Sequence, residues 1–162
     1  MKLLFLLLIM GSSSIASTEK EMKGRVVGVI DGNTLEVIDD KEEKQKIVLA
    51  GIDCPDAGQE YAKEAKRFLE KLVLRQEITF TIVGKDRLGN NLAVLKVKRN
   101  VDPRVELLKE GLAWTAERNP LPELEAYRLE AEKNQKGLWK EENPTPPWLY
   151  RRQQSMMEAK SN

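Results

Sequence analysis

Apolar and polar residues alternate over five short stretches, and this period of two is typical of half-buried β-strands. The predicted strands are residues 23–30, 34–38, 45–52, 77–83 and 92–97. Turns rich in Gly, Asn and Asp separate the first two strands and the last two strands. In the first of these turns, Asp31-Gly32-Asn33, we expect Gly32 to supply a positive φ.

Three other stretches carry apolar residues at helical spacing, with charged residues opposite them. The predicted helices are residues 61–72, 103–110 and 121–136. Asp102 fits the N-cap of the second helix, and Pro103 fits its first position. Beyond the third helix we expect an extended segment at 143–148.

Five strands, one helix between the third and fourth and two helices after the fifth predict an α+β, mainly β, fold. This fold is a five-stranded, OB-like Greek-key barrel with about three packed helices. The domain covers residues 23–150, between a linker at 17–22 and a flexible polar tail at 151–162. Three tryptophans are expected to be core and tail-docking residues and not base-stacking platforms: Trp114, Trp139 and Trp148.

The first residues have the pattern of a signal peptide. A positive Met1-Lys2 precedes the apolar run from Leu3 to Met10, and small residues follow. The pattern predicts cleavage after Ala16, and the alternative is an uncleaved N-terminal anchor. We therefore expect an exported protein, periplasmic or secreted, with no transmembrane segment once the leader is removed.

The charge balance limits the classes of partner. The chain has 27 Lys and Arg against 26 Asp and Glu, and loss of Lys2 with the leader makes the two numbers equal. A neutral chain does not favour tight binding of a nucleic-acid backbone, although a local basic patch or a protein partner stays open. We expect a monomer.

The residue types present limit the chemistry as well. The absence of His excludes His-assisted nucleophilic catalysis and His-containing zinc sites. The lone Cys54 is buried or reactive, and burial is the better interpretation.

Two carboxylates stand where the apolar run from residue 47 ends. Asp53 is either a functional carboxylate at a strand end, or an acceptor of backbone N–H bonds that holds the turn at Pro55. Asp56 is either a catalytic carboxylate or the N-cap of the following helix.

Several segments in order and spacing resemble the staphylococcal nuclease (thermonuclease) family over residues 24–151. The motifs that carry the resemblance are Val29 to Leu35, Val48 to Asp56, Glu64 to Lys66, Asp86 to Asn90, Glu110 to Trp114, Lys136 to Trp139 and Pro146 to Trp148. The family hydrolyses phosphodiester bonds of DNA and RNA with Ca²⁺, which is held by carboxylates and a backbone carbonyl. A Glu positions the water or acts as base, and two arginines stabilise the phosphate charge.

The resemblance implies a metal site at Asp53, Asn33 and the backbone carbonyl of Cys54. Asn33 stands where the family has a carboxylate, so one charge of the Ca²⁺ site is lost. Asp56 stands where the family has its Glu and is a weaker candidate base, because it is one methylene shorter.

The two family arginines are replaced by Val48 and Asn90. Lys46 and Arg87 are the candidate substrate-binding cations near them. Because a single lost charge donor lowers the rate by about 10²–10³-fold, these departures predict an impaired nuclease that acts as a binding module. The alternatives are an active but altered metal-dependent nuclease, and a protein-interaction or envelope-associated domain.

Overall fold

The computed structural model describes residues 20–161. Seven strands are present in this part of the chain. They are β1 (Glu21–Val29), β2 (Thr34–Asp39), β3 (Lys44–Leu49), β4 (Ile52–Asp53), β5 (Glu77–Lys85), β6 (Asn91–Lys96) and β7 (Trp114–Thr115).

Five of these strands close into a barrel in the order β1-β2-β3-β6-β5. All neighbours are antiparallel except β3 and β6, which run parallel. The other two strands, β4 and β7, form a short ribbon in which Ile52 faces Thr115 and Asp53 faces Trp114. The predicted barrel is confirmed.

Four α-helices accompany the barrel, one more than the sequence predicts. They are α1 (Ala62–Val73), α2 (Pro103–Lys109), α3 (Pro122–Lys133) and α4 (Pro147–Ser161). The additional helix occupies the predicted polar tail and the last residues of the predicted extended segment, so these residues are helical where the sequence predicts no helix. Pro147 can begin a helix because its missing N–H and fixed φ suit the first turn.

Other boundaries differ by a few residues. The first strand begins at Glu21, inside the predicted linker. The third predicted strand is two elements, because Gly51 turns the chain with φ 82° between β3 and β4. The proposed leader, residues 1–16, lies outside the described residues.

One continuous core joins the barrel to α1, α2 and α3. Its largest fully buried side chains include Phe80, Leu35, Leu69 and Leu107.

The predicted N-cap of α2 is confirmed. The carboxylate of Asp102 accepts the backbone N–H of Arg104 at 3.0 Å.

The turn before β2 depends on glycine for close packing. The prediction of a positive φ at Gly32 is wrong. A Cβ at this position would lie 2.6 Å from the Cβ of Cys54 and 2.9 Å from that of Ala65. The absence of a side chain therefore lets the turn approach the end of β4 and the start of α1.

No helix within residues 20–161 is both long enough and apolar enough to cross a membrane.

Candidate active site

The site begins at the turn before β2, which is tied to the end of β4. The carboxylate of Asp31 accepts the N–H of Asn33 at 2.9 Å, which confirms the predicted turn. The carbonyl of Asn33 accepts the N–H of Leu49 at 2.8 Å. The thiol of Cys54 donates to the carbonyl of Gly32 at 3.3 Å. These bonds hold the two polar strand ends side by side.

Cys54 is buried, as the sequence predicts. Burial raises the pKa of its thiol, and the nearby charge of Asp53 adds to this rise. The thiol is therefore protonated at neutral pH and serves as a packing and hydrogen-bonding group, and not as a nucleophile.

Three carboxylates share this end of the molecule. Asp53 lies on β4 and Asp56 follows in the next loop. Burial raises the pKa of Asp53 above its usual value, and the negative charges of Asp56 and Asp31 add to the rise. Hydrogen bonds and charge from Arg151 oppose it without cancelling it. The site is thus a region in which carboxylate charge needs a nearby cation.

Arg151 of α4 is that cation. Its Nη2 donates to Oδ2 of Asp53 at 2.6 Å, and its Nη1 donates to Oδ1 of the same carboxylate at 3.3 Å. Nη1 also donates to Oδ2 of Asp56 at 2.9 Å. One guanidinium therefore bridges the two aspartates that the resemblance implies as metal ligand and candidate base.

The neighbouring contacts hold α4 in place. The rings of Trp148 and Trp114 meet edge to face at 5.7 Å, and Trp114 meets Trp139 at 4.5 Å. Arg152, next to Arg151, pairs with Glu117. The predicted structural role of the three tryptophans is confirmed by this cluster, which anchors the start of the helix beside Asp53.

Asn90, which the resemblance places at the second arginine position of the family, closes the loop between β5 and β6. The backbone N–H of Asn90 donates to Oδ1 of Asp86 at 2.8 Å, and its side-chain amide donates to Oδ2 at 2.7 Å. The side-chain hydrogen bond from Asn90 is the largest cause of the lowered pKa of Asp86. Asn90 thus stabilises the β5–β6 loop and carries no charge for a phosphate.

The first arginine position lies on β3. Val48 is half-buried and pairs with Thr34 on one side and with Leu92 on the other. An apolar side chain cannot donate a hydrogen bond to phosphate. The two positions at which the resemblance implies the family's arginines, Val48 and Asn90, therefore carry no positive charge.

The candidate substrate cations lie at the rim of this region. Lys46 is exposed on β3, and its positive charge contributes to lowering the pKa of Asp86. Lys46 therefore lies beside the loop that carries the exposed Arg87. Lys46 lies two residues before Val48 on β3, and Arg87 lies in the β5–β6 loop.

Two interpretations of the carboxylates are corrected. Asp56 is not the N-cap of α1, since that helix begins at Ala62 with Tyr61 in the cap position. The interpretation of Asp53 as an acceptor of backbone N–H bonds is also wrong, because its hydrogen bonds within residues 20–161 come from Arg151.

Sequence reasoning missed Arg151, which lies 98 residues from Asp53 along the chain. The available signal was local. Pro147 at a first helical position, followed by Trp148 and then Arg151 three residues later, fits a helix with one inward face.

The residues present do not fit a Ca²⁺ site as they stand. Within residues 20–161, no group of three or more His, Cys, Asp or Glu side chains is arranged to hold a metal ion. The amide of Asn33 is neutral, and Asp53 and Asp56 already bind a guanidinium. A hard divalent cation favours six to eight oxygen ligands with several carboxylates among them.

With the barrel and this strand-end site described, the chain can be compared with known proteins. The family model described as "Staphylococcal nuclease homologue" matches residues 46–141. The chain belongs to this family of nuclease-like barrel domains.

Curated relatives agree with this assignment. A protein of Escherichia coli O157:H7 named "Uncharacterized endonuclease" is 33% identical over 132 residues, which cover 81% of this chain and 86% of that protein. One with the same name from Haemophilus influenzae is 33% identical over 156 residues, covering 93% and 84%. A "Micrococcal nuclease" of Shigella flexneri is 29% identical over 143 residues, covering 82% of each.

Proposed function

We propose that this nuclease-family domain has impaired phosphodiesterase activity and acts as a binding module. The observation that carries the proposal is the state of the two family arginine positions. Val48 is apolar and lies within the barrel ladder, and Asn90 is committed to Asp86. Neither can stabilise the charge that develops on a phosphate during hydrolysis.

The remaining catalytic positions support the same proposal. Asn33 supplies no charge for a cation, and Asp56 reaches one methylene less far than a Glu. Because each lost group lowers the rate by about 10²–10³-fold and such losses are not simply additive, we expect a rate near background.

The test is a cleavage assay on double-stranded and single-stranded nucleic acid, with Ca²⁺ and with EDTA. The mature chain is compared with a restored variant, Asn33→Asp, Val48→Arg, Asp56→Glu, Asn90→Arg and Arg151→Gln, in which the last change frees Asp53 and Asp56 from the guanidinium. We expect an inert wild type and a restored variant whose cleavage requires Ca²⁺. Metal-dependent cleavage by the wild type would contradict the proposal.

The surface that remains for binding includes Lys46 and Arg87. We propose that they give weak, salt-dependent affinity for a nucleic-acid backbone, which the neutral net charge keeps low. Replacing both with Ala should reduce the slope of log K against log salt by roughly 1–2. The matched control replaces Lys63 and Arg67, which lie on α1, and should leave the slope unchanged. If both double variants behave like the wild type, the partner is a protein bound elsewhere.

An active but altered nuclease is the second candidate. It is favoured by the position of Lys46 beside the β5–β6 loop, where two cations could serve in place of the missing arginines. In that case Asp53→Ala should abolish cleavage, since Asp53 is the retained metal-ligand position. Activity that survives this change would come from another site or another protein.

We also propose that the protein is exported after cleavage at Ala16 and is monomeric. The leader-like pattern of residues 1–16 supports export, and the closed barrel, which leaves no open barrel edge for pairing, supports a monomer. Mass spectrometry of the exported protein should find Ser17 at the N-terminus. Light scattering should give the mass of one chain, and a dimer mass would contradict the second statement.

A further inference from the structure

Arg151 forms an ion cluster with the carboxylates of Asp53 and Asp56. Both oxygens of Asp53 and one oxygen of Asp56 accept hydrogen bonds from the guanidinium. The two nitrogens at the end of the arginine side chain supply all three bonds. This is the fork-like geometry for which arginine is better suited than lysine.

This cluster occupies a residue at which the family is expected to bind its metal ion. Asp53 is the retained metal-ligand position, and its carboxylate is occupied on both oxygens. Asn33, the other ligand position, offers no charge. A divalent cation would therefore have to displace Arg151 and then bind a weaker ligand set than the family supplies.

We propose that Arg151 is the resident cation of this site and takes the place of the divalent ion. This inference rests on the proposed function, because a site that no longer hydrolyses phosphodiesters has no need of a Lewis acid. Arg151 and a divalent cation compete for Asp53 and Asp56, so the contact of Arg151 with these carboxylates and metal binding exclude one another.

The loop that carries Asp56 packs against the start of α4 and the residues before it. The amide of Gln59 donates to the carbonyl of Thr145 at 2.9 Å, just before the helix, and its side-chain oxygen accepts the N–H of Asp56 at 2.9 Å. A Cβ at Gly58 would lie 2.6 Å from the hydroxyl oxygen of Tyr150. These contacts fix the loop and the helix together independently of the ion cluster, so α4 holds Arg151 over the carboxylates.

The experiment measures how Arg151 affects Ca²⁺ binding separately from how the carboxylate missing at Asn33 affects it. Four full-length mature proteins are compared: wild type, Asn33→Asp, Asn33→Asp with Arg151→Gln, and Asn33→Asp with Arg152→Gln. The last is the matched control, because it removes the same charge from the adjacent residue, whose partner is Glu117. Ca²⁺ binding is measured by calorimetry, and Tm is measured in EDTA and in millimolar Ca²⁺.

We expect Ca²⁺ to bind only N33D/R151Q, the variant that regains the carboxylate and loses the guanidinium. Its Tm should rise by roughly 5 °C at saturating Ca²⁺, while the Tm of the other three proteins stays unchanged. If N33D/R151Q does not melt cooperatively in EDTA, N33D/R151K replaces it. That variant keeps the charge without the planar fork, and it should bind Ca²⁺ more tightly than N33D alone.

Three results would overturn the inference. The first is a Ca²⁺-dependent rise in the Tm of the wild type. The second is equal Ca²⁺ affinity with and without Arg151 in the Asn33→Asp background. The third is the absence of Ca²⁺ binding in every folded variant that lacks Arg151. Because these readouts measure binding, cleavage by the wild type would overturn the proposed function without deciding this inference.

Discussion

Two arginine–aspartate pairs in this protein have the same chemistry in different surroundings. Asp102 and Arg104 lie two residues apart at the start of α2, and their side chains are only 7% and 10% exposed. Asp53 and Arg151 join β4 to α4, and their side chains are 21% and 49% exposed. The first pair is part of the core, whereas the second lies at the surface of the candidate site.

The pKa values of the two aspartates move in opposite directions. Burial alone would raise the pKa of Asp102, but hydrogen bonds and charge from Arg104, with a further bond from Lys96, lower it below its usual value. Burial raises the pKa of Asp53, and Arg151 only reduces that rise. The cations beside Asp102 therefore outweigh the effect of burial on its pKa, whereas Arg151 does not outweigh the effect of burial on the pKa of Asp53.

The two ion pairs are therefore not equivalent, although each joins an arginine to an aspartate. Asp102 has partners on both oxygens and also caps α2. Both oxygens of Asp53 are also bonded, but its single partner within residues 20–161 is Arg151, whose guanidinium is half exposed. A carboxylate with a raised pKa next to a half-exposed cation is more typical of functional sites than of cores.

The largest effect should come from breaking the core pair. Asp102→Ala leaves Arg104 buried without its partner and removes the cap, so it should lower the free energy of unfolding by about 3–5 kcal/mol. Urea denaturation measures this loss. Replacing both residues, Asp102→Leu with Arg104→Met, should be less destabilising than Asp102→Ala alone. Additive losses would show that the two side chains do not act as a unit.

The site pair should matter less for stability. Arg151→Gln should lower the free energy of unfolding by about 1 kcal/mol, because the guanidinium is half exposed and solvent screens it. Adding Asp53→Asn should recover part of this loss, since the buried carboxylate is then no longer charged. A loss as large as that of Asp102→Ala would mean that α4 is part of the cooperative core.

The pH dependence should separate the two aspartates by sign. The pKa of Asp102 is lowered on folding, so its contribution is present above the unfolded value of about 3.9 and is lost as pH falls towards the folded value. The pKa of Asp53 is raised, so its contribution is present below about 3.9 and is lost as pH rises through the folded value.

Urea denaturation from acid to neutral pH tests this pair of signs. Asp102→Asn should weaken the loss of stability in acid. Asp53→Asn should remove a loss that the wild type shows as pH rises from about 4 through the folded pKa of Asp53. This loss is small, because solvent screens a partly exposed group. Changes of the same sign in both variants would contradict the comparison.

The sequence predicts the barrel and the helix cap at Asp102 because their signals are local, whereas the pairing of Asp102 with Arg104 comes from the structure. Alternation over five strands indicates a barrel, and Asp102 followed by Pro103 indicates a capped helix. Each of these inferences uses residues within one element or one turn. That Val48 and Asn90 stand at the family's arginine positions is what the resemblance to that family implies.

The site pair could not be predicted in the same way. Its formation depends on α4 returning to β4, and no periodicity records which side chains meet across 98 residues. The prediction for Gly32 fails for a related reason. The turn needs glycine because Cys54 and Ala65 approach it from elsewhere in the chain, whereas sequence reasoning considers only the local φ.

The smallest effects should come from the exposed neighbours of each pair. Lys96 bonds Asp102 at 3.2 Å with its side chain 38% exposed, and Arg152 pairs with Glu117 beside Arg151. Lys96→Met and Arg152→Gln should each lower the free energy of unfolding by about 0.5 kcal/mol, as for other exposed ion pairs. Urea denaturation at low and high salt should show both differences shrinking as screening increases. If Lys96→Met proved as destabilising as Asp102→Ala, the stability of the core pair would depend on its second cation. The core pair would then differ from the pair at Asp53, which has one cation, in the number of its cations and not in their burial.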